Sequence, residues 1–171
     1  MIKGKITRHD ARIWALQLLY RFDLNPDGDI DSAIDEFWIQ QWEIKDEEKR
    51  AEEVFPAPQK LPGNPARKVA NDSIRNFTAS IVKGVFAEKE RIDAKLDSYL
   101  NNWSLYRLGT IERNILRIGA WEIDFEEGIP PAVAINEAVE LAKNFCDRTA
   151  VRFINGVLDR YSKNQPSENG K

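Results

Sequence analysis

One cysteine and one histidine are all that the 171-residue chain has of those two types. Cys146 alone excludes an internal disulfide, and with His9 as its only companion a structural zinc site is not expected. A Ser/His/Asp or Cys/His nucleophilic site would need His9 as its base, yet sequence neighbours such as His9 and Asp10 point apart on a helix. Nothing beside Cys146 would lower its pKa, and the adjacent Phe145 indicates a buried, inert thiol. No apolar run approaches the roughly 18 residues that cross a bilayer. The N-terminus, MIKGKITRHDAR, lacks the apolar segment of a secretory signal, so a cytoplasmic protein without a membrane partner is expected. The phosphate-binding patterns G-x-G-x-x-G and G-x-x-x-x-G-K-[ST] are missing, and Gly63-Asn64-Pro65 is no phosphate loop. There is no internal repeat, and no segment sustains strict apolar–polar alternation, so no sheet is expected. The expectation is a helical protein that is not an enzyme and needs no cofactor or metal.

Apolar residues make up 42% of the chain, enough for a core of ordinary size. The net charge of −3 is unevenly spread. Residues 1–24 carry Lys3, Lys5, Arg8, Arg12 and Arg21 against Asp10 and Asp23, whereas residues 25–60 hold eleven acids and four bases. The bulk balance argues against a generally basic nucleic-acid coat but leaves room for a local basic site at the N-terminus.

Helical spacing accounts for most of the chain. Thr7 with Asp10 forms a capping-box pattern ahead of Ala11, Ala15, Leu18, Leu19 and Phe22. Arg8 and Arg12, four apart, share the other side of that helix, and on charge pattern alone Arg8, His9 and Arg12 read as a solvated face. Asn25-Pro26-Asp27-Gly28 is a turn. A second helix is predicted over Ile30–Ile44, with Trp38 and Trp42 as core or subdomain contacts rather than base-stacking platforms. Residues 45–68, highly charged and then proline-rich, read as a mobile loop or linker. The run Ala66–Asn101 is helical again, with a break near Glu88. Ser104 is placed as the cap of a helix over Leu105–Phe125, and Gly128 as its left-handed terminator. Glu122 and Glu126 share a face, which reads as solvated rather than as an acid/base pair. The last stretch, from Pro130 to Asp159, gives two helices. Pro130-Pro131 starts the first, and Thr149 is placed as the cap of the second.

Three blocks resemble the NusB family of transcription antitermination factors: ARIWALQLLYRFDL (Ala11–Leu24), NWSLYRLGTIERNILRIGAWEI (Asn102–Ile123), and AINEAVELAK with RFINGVLD (Ala134–Lys143 and Arg152–Asp159). The resemblance implies an all-α fold of about seven helices, two packed three-helix bundles with an extra helix. It implies one domain with helical halves over 1–101 and 102–163, an insertion at about 45–68, and a flexible tail over 164–171. It also implies a non-enzymatic adaptor that binds single-stranded boxA RNA of ribosomal RNA operon leaders together with NusE, a small-subunit ribosomal protein. In the family the complex joins elongating RNA polymerase and suppresses premature termination. The family's N-terminal arginine-rich segment touches RNA and corresponds here to Arg8-His9-Asp10-Ala11-Arg12, so Lys3, Lys5, Arg8, His9 and Arg12 are the expected RNA contacts. His9 and Asp10 replace two usual basic positions, and Tyr106 stands where an acid is common. Tyr20, Glu112 and Phe153 align with partner-facing positions. A homodimer is left open. Two alternatives stand beside this reading: a NusB-like accessory domain of a ribosomal RNA cytosine methyltransferase, and a protein-interaction module with little RNA affinity.

Overall fold

The structure, a computed structural model, describes residues 6–43, 72–101 and 103–163. The insertion at about 45–68, the tail over 164–171, and Lys3 and Lys5 lie outside the described residues. Among the described residues the chain is all-α, with seven α-helices, one 3-10 turn and no strand, as the apolar periodicity predicts. No described helix is long and apolar enough to cross a membrane. The chain divides into two compact units between Lys83 and Gly84, whereas the sequence reading divides its halves at 101/102.

The first unit holds α1 (Arg8–Leu24), α2 (Ile30–Glu43) and most of α3 (Asp72–Ala87). The capping box predicted at α1 is present. The Thr7 N–H donates to Asp10 Oδ2 at 2.7 Å, and the Asp10 N–H donates to Thr7 Oγ1 at 3.5 Å. Two otherwise unpaired amides at the helix start are thereby satisfied. Asp29 caps α2, its carboxylate accepting from the Ser32 N–H at 2.8 Å, which holds the group below its ordinary pKa. Ile34 and Phe37 of α2 are buried, and Trp38 meets Trp14 of α1 edge to face with centroids 5.2 Å apart. Trp38 is thus a packing residue, as read from its spacing. Thr78 of α3, fully buried, donates its hydroxyl to the carbonyls of Ile74 and Ala11, which ties α3 to α1.

The second unit holds α4 (Lys89–Asp97), the 3-10 turn Leu105–Arg107, α5 (Thr110–Phe125), α6 (Pro131–Phe145) and α7 (Arg148–Lys163). The helical run breaks at Glu88, where the spacing predicts it. Each pair among α5, α6 and α7 is packed together, with α4 against α5. Leu116, Ile118, Leu141, Ile154 and Val157, the expected core, are all fully buried. Gly119 permits the close approach, because a Cβ there would stand 2.6 Å from Leu158 Cδ1 and 3.4 Å from the Ala138 Cβ. Gly128 has φ +90°, the left-handed turn expected after α5.

Three local expectations are corrected. The helix placed at Leu105 begins at Thr110. Leu105–Arg107 instead forms a 3-10 turn anchored by the buried Leu105, whose N–H donates to Asp97 Oδ1 at 2.6 Å, and the Ser104 side chain caps nothing. The cap of α7 is Asp147, which accepts from the Ala150 N–H at 2.8 Å, while Thr149 lies inside the first turn. Glu122 is not solvated: α5 is enclosed on several sides, and Glu122 is fully buried.

Candidate nucleic-acid and partner interface

The basic segment begins with the first turn of α1. Arg8 is exposed, and its guanidinium carbon lies 4.7 Å from the centre of the Phe77 ring. Arg12, one turn on, lies 5.3 Å from the centre of the same ring, so one aromatic ring collects both cations. The solvated reading fails for Arg12, which is 3% exposed: helix periodicity turns it inward, where Phe77 of α3 meets it. His9 is half-buried. Asp10 is committed to the cap of its own helix, accepting from both the amide and the hydroxyl of Thr7. Of the expected RNA contacts, the structure therefore brings Arg8 and Arg12 together and leaves Arg8 as the one open to solvent among the described residues.

Tyr20 is half-buried on α1 in the first unit. Glu112, in the first turn of α5, and Phe153, on α7, are half-buried in the second. Neither Tyr20 nor Phe153 belongs to the fully buried core. Cys146 lines a hollow of about 460 Å³ with Lys143, Arg148, Val151 and Arg152. Despite those cations, burial and then the charges of Glu112 and Asp147 push its thiol up to about 12, so it stays protonated and inert as expected from Phe145. Among the described residues, no group of His, Cys, Asp and Glu could hold a metal ion.

The strongest polar feature of the second unit escapes sequence reading. Arg117, 2% exposed, grips Asp93, 4% exposed, with Nε to Oδ1 at 2.7 Å and Nη2 to Oδ2 at 2.8 Å. Asp93 also accepts from Lys89 Nζ and from the Tyr106 hydroxyl, both at 3.2 Å. Asp93 sits between apolar positions of a helical repeat, and its partner is on another helix. Only the packing reveals the pair.

Fold and surface define a small all-helical protein with a cationic helix start, without a described metal cluster or an activated nucleophile. The NusB family model matches residues 37–163. The transcription antitermination protein NusB of Halothermothrix orenii is 36% identical over 154 residues, covering 90% of this chain and 95% of the relative. That of Campylobacter jejuni is 36% identical over 157 residues, covering 92% and 96%. Among solved structures, T. maritima NusB superposes with a TM-score of 0.73 at 26% identity, covering 96% of this chain and 97% of that one. A structure of the antitermination factors NusB and NusE in complex with double-stranded RNA superposes with a TM-score of 0.68 at 26% identity, covering 91% and 96%. The chain belongs to the NusB family, a family of transcription antitermination proteins and not of enzymes.

Proposed function

We propose that this protein is a cytoplasmic RNA-binding adaptor that takes up boxA RNA jointly with NusE and carries both to elongating RNA polymerase, suppressing premature termination. The observation that carries the reading is the likeness, over 91% of the chain, to a structure of NusB and NusE in complex with double-stranded RNA, which supports RNA and NusE as ligands. Arg8 is the phosphate contact of this reading, with the charges of Lys3 and Lys5 nearby in the sequence. Arg12, buried against the same Phe77 ring as Arg8, supports this corner rather than meeting RNA directly. Tyr20 and Phe153 supply apolar area to the protein partner, and Glu112 supplies an ionic contact to a basic ribosomal protein. Bases are read in single-stranded RNA, because duplex RNA hides its base edges in a narrow groove. With so few cations, affinity in the absence of NusE is weak.

The test is a titration of labelled boxA RNA, single-stranded and as a duplex, with and without NusE at two salt concentrations. Arg8→Ala should weaken single-strand binding and flatten the salt slope by about 0.7, one phosphate's share. Unchanged affinity and slope would remove the α1 start from the RNA site. The burial of Arg12 favours one second reading, a protein-interaction module with little RNA affinity, which NusE binding without any RNA binding would establish. The methyltransferase-domain alternative is disfavoured, since relatives matched over 95–96% of their length are antitermination proteins.

A further inference from the structure

We propose that a second face of the protein, formed by Trp103, Tyr106, Lys89, Arg107 and Arg113 in the second unit, stacks unpaired bases of single-stranded RNA. The inference rests on the RNA-binding reading above and adds a separate contact to it. Trp103 is 56% exposed and Tyr106 62%, values that hydrophobic burial does not explain. Both rings are nevertheless held. They flank the buried Leu105, whose amide is tied to Asp97 at 2.6 Å, so the turn carrying them is anchored. The Tyr106 hydroxyl donates to Asp93 at 3.2 Å and accepts from Lys89 at 3.3 Å, and Asp93 is itself fixed by the two bonds from Arg117. An exposed ring is thus pinned at its tip to a buried ion pair and loses little freedom when a flat ligand lands on it.

Charge selects the ligand. Lys89 Nζ lies 5.5 Å and the Arg113 guanidinium 5.8 Å from the centre of the Tyr106 ring, and the Arg107 guanidinium lies 5.5 Å from the centre of a Trp103 ring. Asp93, beneath the Tyr106 hydroxyl, is matched by both Arg117 and Lys89. Two exposed rings with the exposed Arg107 and the half-buried Lys89 and Arg113 beside them offer the pairing that a base and its phosphate require. A protein hot spot also uses tryptophan, tyrosine and arginine, but sets them in a wider apolar patch that excludes water. Within residues 103–107 the exposed large apolar groups are the two rings themselves.

The probe is fluorescein-labelled oligouridine, titrated against the full chain and against Trp103→Leu/Tyr106→Leu, Tyr106→Phe, Arg107→Ala and Arg8→Ala. The double leucine variant should lose about tenfold in affinity, because both stacking surfaces are gone. Tyr106→Phe, which keeps the ring, should retain most of it. Arg107→Ala should flatten the salt slope by about 0.7. Circular dichroism checks the fold, and Arg107→Ala decides the matter if the leucine variant fails to fold. If Arg8→Ala weakens binding while the double leucine variant and Arg107→Ala do not, the platform is overturned and the RNA reading stands. If the full chain binds neither oligouridine nor boxA, with or without NusE, both fall. A double leucine variant that loses NusE but keeps oligouridine would make the face a protein-docking site and overturn the proposal.

Discussion

Burial by itself would raise the pKa of Asp93, yet the hydrogen bonds and charge of Arg117, with Lys89 behind them, hold it below the ordinary value of 3.8. The folded state therefore binds protons there less readily than the unfolded chain. By linkage, stability from this group is fully present above the ordinary carboxylate range and is lost as the pH falls through the lowered value. An acid titration of the Tm should show a drop in that window that is absent in a variant with both Asp93 and Arg117 replaced by apolar residues. Removing one partner is worse than removing two, because it strands a buried charge. Asp93→Leu should cost about 3–5 kcal/mol in urea unfolding. A loss under about 1 kcal/mol would mean that the pair is solvent-screened after all. This pair marks the limit of sequence reading at the residue scale. Asp93 and Arg117 stand 24 positions apart, and nothing local couples them. Arg12 shows the same limit: its charge is legible in the sequence, but the ring that buries it comes from α3.

Helices are legible where spacing and termini agree. Thr7 with Asp10, the break at Glu88, Pro130-Pro131 and Gly128 each follow from local chemistry and stand in the structure. The two misplaced starts have local causes as well. A 3-10 turn offers the same residue types as a helix, and Asp147 and Thr149 are both good caps two positions apart. The structure chooses Asp147. Asp147→Ala should cost about 1 kcal/mol, and Thr149→Ala should stay within about 0.5 kcal/mol. Thermal unfolding of the two variants checks this, and the reverse order would restore Thr149 as the cap. At the crossing of α5 with α7, Gly119→Ala should destabilise by about 1–3 kcal/mol, since its methyl group would overlap Leu158. Leu141→Ala, fully buried on α6, should cost about 2–5 kcal/mol.

At the scale of the molecule, apolar periodicity carries the fold class, because each helix of the second unit buries a stripe that its own sequence displays. The functional surface is less legible. Tyr20, Glu112 and Phe153 are each half-buried, neither core nor fully exposed. Phe153→Asp should abolish NusE binding and leave the circular dichroism spectrum unchanged; an unfolded variant would assign Phe153 to the core. An adaptor must bind both ligands at once and couple them. Calorimetric titrations can close that cycle: boxA RNA into the protein with and without NusE, and NusE into the protein with and without boxA RNA. Each ligand should raise the affinity of the other, by the same factor in both directions. A factor of one, or RNA binding that NusE abolishes, would contradict the adaptor role.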